Sequence, residues 1–118
     1  QVTISGASTN ITNNVYGGWS SETSTVGGYD AENEKSLGNK IIISGGHIGY
    51  RYDEGNYVGI KDSKNNHLGD VCGGSASDSG VAQCNTVDIS NGYIYGNVIG
   101  GKTSTGIAGG YDVENKKV

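Results

Sequence analysis

One phrase recurs three times in the chain and limits its fold more than any other feature. The clearest copy is Val87-Asp88-Ile89-Ser90-Asn91-Gly92-Tyr93-Ile94-Tyr95-Gly96-Asn97-Val98-Ile99-Gly100-Gly101. It reads as a short alternating strand, a turn, a second short strand and a glycine pair. An earlier copy runs from Val2-Thr3-Ile4-Ser5-Gly6 to Asn14-Val15-Tyr16-Gly17-Gly18, and a middle copy from Ile41-Ile42-Ile43-Ser44-Gly45-Gly46 to Asp70-Val71-Cys72-Gly73-Gly74. Asn39 to Ser44 also matches Asn85 to Ser90. A chain that repeats one strand-and-turn unit buries each unit against the next, because no single unit can form a core alone.

Composition agrees with a thin, stacked core. The 118 residues include 22 Gly, eight Tyr and one Trp, with no Pro, Phe or Met, whereas ordinary usage is about 7% Gly and 5% Pro. Central strands cannot lose an amide donor, which suits the absence of proline. The glycines fall in register with β-branched residues, a pattern that disordered Gly-rich tails lack. The expected fold is all-β, a parallel β-solenoid of short stacked coils forming one unit over 1–118. The alternative is an antiparallel β-sandwich with Gly-rich turns. In the stacked arrangement the Asn or Asp of Asn/Asp-Val-x-Gly-Gly, at Asn14, Asp70 and Asn97, is expected to form a side-chain ladder at a corner. No helix of useful length is expected, and the stretch from Ala31 to Leu37 reads as a turn.

Three features stand apart from the repeat. Residues 50–66 are an insertion that the other copies lack and read as a loop or side hairpin. Residues 19–26 read as an exposed edge or loop. A longer echo pairs Gly27-Gly28-Tyr29-Asp30 with Gly109-Gly110-Tyr111-Asp112 at an offset of about 83 residues. The chain opens on Gln1 with no leader-like segment, and Val118 falls where a strand begins. It therefore reads as an excerpt of a longer repetitive chain, or as a unit on which a neighbouring subunit continues. In either case both ends are expected to be uncapped sheet edges.

The phrases Val2-Thr3-Ile4-Ser5-Gly6, Asn85-Thr86-Val87-Asp88-Ile89-Ser90-Asn91-Gly92-Tyr93-Ile94 and Asn14-Val15-Tyr16-Gly17-Gly18 resemble the passenger-domain repeats of bacterial autotransporter adhesins. The resemblance covers most of the chain apart from 50–66 and 19–26. It implies a right-handed parallel β-helix, an extracellular location (secreted or at the bacterial cell surface) and a role as an adhesive or structural stalk. It transfers no catalytic residues. The two cysteines and the insertion depart from that pattern.

Charge and motifs exclude several functions. The net charge is −4 and the one arginine is Arg51, so no basic patch is available for nucleic acid. No apolar run approaches the roughly 20 residues of a membrane span. His47 and His67 carry no metal-ligand spacing, Gly-Gly-Tyr-Asp lacks the spacing of calcium-binding repeats, and no phosphate loop or nucleophile elbow is present. No metal and no cofactor is expected, and catalysis is not expected; a carbohydrate-active enzyme on a β-helix is the alternative that paired carboxylates would support. Cys72 and Cys84, 12 positions apart, suggest a disulfide in an extracytoplasmic protein, the competing reading being two small buried hydrophobes. Trp19, Tyr50, Arg51, Tyr52, Asp53 and Tyr57 lie in the polar excursions and are the candidate ligand contacts, suited to a glycan or a surface protein. Tyr16, Tyr93 and Tyr95 are expected to cover the flank of the core. The other expected partners are neighbouring copies or adjacent repeats, stacked end to end.

Overall fold

The computed structural model describes residues 1–110 and Glu114. The expected strand start at Val118 and the second half of the longer echo, Tyr111 onward, lie outside the described residues. The chain makes three passes, over residues 1–38, 39–84 and 85–110. The first carries β1 (Val2–Ile4), β2 (Asn10–Ile11), β3 (Val15–Tyr16), β4 (Trp19–Ser20), β5 (Thr25–Gly27), β6 (Tyr29–Asp30) and β7 (Lys35–Ser36). The second carries β8 (Lys40–Ile48), β9 (Tyr50–Asp53), β10 (Asn56–Gly59), β11 (Val71–Ala76) and β12 (Val81–Gln83). The third carries β13 (Thr86–Ile94), β14 (Val98–Lys102) and β15 (Ile107–Gly109). The described residues are all-β, with no helix.

Three parallel sheets hold the passes together, and in each the second pass lies in the middle. β8 pairs with β1 and β2 on one side and β13 on the other. β11 lies between β3 with β4 and β14, and β12 lies between β5 and β15. The register follows the repeated phrase: Val2, Ile41 and Val87 share one column, and Ile4, Ile43 and Ile89 another. Val15, Val71 and Val98 form a third column, and Tyr16, Cys72 and Ile99 a fourth. Alternating β-branched residues specify this register, because a one-residue slip would turn every Ile and Val to the opposite face. The antiparallel pairs, β6 with β7 and β9 with β10, are local hairpins outside the three sheets. β6–β7 closes over the Ala31–Leu37 stretch, and β9–β10 is the 50–66 insertion.

The corner ladders are present. Asn14 Oδ1 accepts the amides of Gly69 and Asp70, each at 2.9 Å. Asp70 Oδ1 accepts the backbone and side-chain amides of Asn97 at 2.8 and 3.2 Å. A second ladder joins Asn39 to Asn85: both the backbone and side-chain nitrogens of Asn39 donate to Asn85 Oδ1 at 3.0 Å. Asn85 Nδ2 in turn donates to the Val26 carbonyl at 2.8 Å. The Asn14, Asp70 and Asn85 side chains thus satisfy backbone groups that a corner removes from the sheet ladder.

Ile41, Ile43, Ile48 and Val71, all from the middle pass, are fully buried. Ile4 and Val15 complete the cluster from the first pass, while the third adds only the partly buried Val87 and Ile94. Among the described residues β1, β3 and β5 of the first pass and β13, β14 and β15 of the third are all sheet edges, but the two ends differ in side-chain exposure. In the shared columns Ile4 and Val15 of the first pass are buried, whereas Ile89 and Val98 of the third are 39% and 52% exposed. The Cα trace measures 54 × 30 × 16 Å. Three strands about 4.8 Å apart are only about 10 Å deep, so the stack runs along the shortest dimension and its ends are the broad faces.

Candidate functional site

The insertion leaves and returns at one point. Gly49 and Gly69 have φ of +83° and +91°, and a Cβ on Gly69 would lie 2.5 Å from Gly49 Cα. Two backbones cross there in contact, which only glycine permits at both positions. The detour is closed at its base, so β11 resumes the pass in register despite the extra residues.

Beyond that base lies an array of rings. His47 of β8 is sandwiched between Tyr57 and Tyr93, with centroids 3.4 and 4.8 Å away and planes within 4° and 11° of parallel. Tyr93 is its register partner in the third pass, while the first pass offers only Asn10. Two rings stacked on one imidazole take its two faces, so the hairpin's Tyr57 fills the face toward the first pass. His47 Nδ1 is buried without a hydrogen-bond partner among the described residues; that cost is offset by ring packing. Tyr52 meets Tyr57 edge-on at 5.2 Å. A second group joins Tyr50, Tyr95 and His67, where His67 stacks on Tyr95 at 4.3 Å and 7°. Gly59 lies against the Tyr95 ring, and a side chain there would overlap it.

The residues singled out from sequence do not converge. Trp19 is 62% exposed in a different sheet, in register with Ser75. Tyr50 and Tyr57 are half-buried packing groups that anchor the hairpin. Arg51, Tyr52 and Asp53 are exposed, and Arg51 meets Asp53 at 3.6 Å, a surface ion pair of small energetic weight. Tyr93, expected to cover the core flank, has 63% of its surface open. The expected disulfide is also corrected: Cys72 and Cys84 are free thiols. They belong to one pass, Cys72 in β11 and Cys84 in the bend beyond β12. Cys72 is buried, its thiol donating to the Gly74 carbonyl at 3.3 Å, and burial pushes its pKa up.

The groups that do converge form a polar cleft of about 440 Å³. One wall is the turn from Asp62 to Asn66, another the Asn14–Asp70–Asn97 ladder, and a third the ring pair of His67 and Tyr95. Asp62 Oδ1 accepts the amides of Lys64 and Asn66 at 2.8 and 2.9 Å, and Oδ2 accepts Asn66 Nδ2 at 3.4 Å. His67 Nδ1 lies 3.3 Å from the Tyr95 carbonyl; a carbonyl can only accept, so Nδ1 carries the proton. The sequence shows the ladder residues but not this cleft, which is assembled from three separate segments. The one local signal was the Asp62–Asn66 spacing, that of a side-chain-capped turn.

The Asp62 carboxyl is held below the ordinary Asp range, first by the amide of Asn66 and then by those of Lys64 and the Asn66 side chain. A depressed folded-state pKa contributes stability that is complete above the unfolded value of about 3.9 and is lost as pH falls through the folded one. The amide proton shifts of Lys64 and Asn66, followed by NMR, are expected to titrate together with a midpoint below the ordinary value. A midpoint at or above it would mean that the carboxylate does not cap the turn. The same ionisation makes Asp62 a poor proton donor, and no group of three or more His, Cys, Asp or Glu among the described residues could share a metal ion. Compared with protein-family models, curated proteins and solved structures, the chain gives no match.

Proposed function

We propose that this chain is a structural and adhesive segment of a right-handed parallel β-solenoid, extracellular and either secreted or displayed on a bacterial surface. Its role is that of a stiff adhesin stalk or a self-stacking filament unit. The observation that carries the reading is the open third-pass face. There Ile89 and Val98, which continue the buried columns of Ile43 and Val71, stand exposed, as does Ile107 in the column of the half-buried Val81. A hollow of about 290 Å³ opens on the same side, lined by residues such as Ala82, Gly101 and Gly109. A further β pass in the same register would cover these side chains and pair the free strand edges, as neighbouring repeats do in stacked architectures. The repeated phrase supports the same reading, since it continues one register from pass to pass. Right-handedness follows from the resemblance and from the strong preference of parallel crossovers for that hand.

The test is sedimentation velocity and negative-stain microscopy of the purified chain across a concentration series. The expected result is concentration-dependent association, with loss of association when Val98→Lys and Ile107→Lys are combined. Both positions are more than half exposed, so the substitutions leave the folded monomer intact. A chain that remains monomeric at every concentration would overturn the self-stacking reading.

A further inference from the structure

We propose that the polar cleft between the insertion and the corner ladder binds a neutral polyhydroxylated ligand, a sugar. This inference is independent of end-to-end stacking, because the cleft lies within one chain. The ladder holds short planar side chains by one end and leaves the other free. Asn14 Oδ1 is occupied by two backbone amides while its Nδ2 has no partner among the described residues. Asp70 Oδ1 takes both amides of Asn97, while Asp70 Oδ2 and Asn97 Oδ1 are unengaged among the described residues. With Nδ1 of His67 directed to the Tyr95 carbonyl, a neutral imidazole offers Nε2 as an acceptor. One amide donor, two oxygen acceptors and the His67 Nε2 thus line one cleft, a mixed set that hydroxyl groups satisfy because each both donates and accepts. His67 is exposed with one ring face stacked on Tyr95. Its other face offers a flat surface for the C–H side of a sugar ring.

The same geometry argues against charged ligands. An anion would meet Asp62 and Asp70 with no arginine or lysine among the cleft's lining residues. A calcium ion takes 6–8 oxygen ligands, but both Asp62 oxygens already accept hydrogen bonds within their turn and Asp70 contributes one free carboxylate oxygen. A water-filled polar cleft with preset side chains suits weak, millimolar recognition of a single sugar unit.

The experiment is NMR titration of the full chain with glucose, galactose, mannose and N-acetylglucosamine, each alone and with calcium chloride. The expected result is saturable shifts, with at least one sugar and without calcium, in the amides of Asn66, His67, Asp70 and Asn97. Affinity is expected to fall about tenfold or more in His67→Ala and in Asp70→Asn. The Asp70 replacement keeps an oxygen for Asn97 and removes the free anionic one; should it disturb folding, the exposed His67 decides. Tyr52→Ala, on the outer hairpin, is expected to bind as the parent does. Absence of saturable shifts with all four sugars, shifts that persist unchanged in His67→Ala, or binding that requires calcium would each overturn the proposal.

Discussion

Replacing Ile43 with alanine is expected to destabilise the fold by about 3 kcal/mol, within the range for truncating a fully buried isoleucine. Ile43 has no exposed surface and lies in one column with Ile4 and Ile89. Truncation there leaves a cavity walled by two neighbouring passes, and neither can collapse without losing its own register. Ile89→Ala removes the same atoms from the same column and is expected to cost less than half as much, since 39% of that side chain already faces solvent. Against a total stability of about 5–15 kcal/mol, the difference is measurable by urea denaturation at constant slope. Equal losses for the two variants would mean that the third pass is covered in solution, and would count against an open face.

A comparable effect is expected at the base of the insertion. Gly49→Ala places a Cβ inside contact distance of the Leu68 carbonyl and 2.8 Å from Gly69 Cα, at a backbone φ of +83°. The unfavourable φ costs on the order of 1 kcal/mol and backbone overlap adds about 1–3 kcal/mol, so a loss of about 3 kcal/mol is expected by thermal or chemical denaturation. Because Gly49 and Gly69 bring the hairpin back to the pass, the variant is also expected to disorder the His47–Tyr57 stack, read as a change in near-ultraviolet circular dichroism. Gly109→Ala is the control: nothing lies within 4 Å of the added carbon, and its effect is expected to stay within about 0.5 kcal/mol. If Gly49→Ala is as mild as Gly109→Ala, the two stems of the insertion do not touch.

The contrast between these glycines shows how far local pattern reaches. Gly-Gly pairs mark corners throughout the sequence, yet only contacts reveal which corners have no room. Gly27 and Gly109 share a column through Gln83. A Cβ on Gly27 would overlap the Gln83 carbonyl, whereas one on Gly109 would meet open space. Residue type and phrase position are the same at both, but Gly27 holds a φ of +91° that aims a Cβ at the middle pass, and Gly109 is not among the positive-φ glycines.

The polar cleft is a second case. Asn14 and Asn97 read as ladder residues and Asn66 as part of a loop, while the aromatic residues concentrated in 50–57 read as the ligand contacts. In the fold, Tyr50 and Tyr57 are packing groups. The cleft draws instead on His67, the Asp62 turn and the corner ladder. Residues more than 80 positions apart meet there because Asn14 and Asn97 occupy equivalent places in the first and third passes. The thiols follow the same logic, since spacing brought Cys72 and Cys84 close in sequence while the fold puts Cys72 in β11 and Cys84 in the bend beyond β12.

By itself the sequence determined the strands of the repeated phrase, the columns in which they align and the Asn14–Asp70–Asn97 ladder. Those depend on period-two alternation, β-branching and glycine placement, which act over a few residues and repeat from pass to pass. Residues 19–26, by contrast, read as an edge or loop where β4 and β5 form and Val26 is buried. Only the tertiary structure decided that the shared columns are buried in the first pass and exposed in the third, that the hairpin's tyrosine completes a stack begun by His47, and that three distant segments enclose a polar cleft. Each of these depends on which surfaces meet after the passes stack, and a residue's neighbours across a stack are set by the fold's long-range register rather than by its neighbours along the chain.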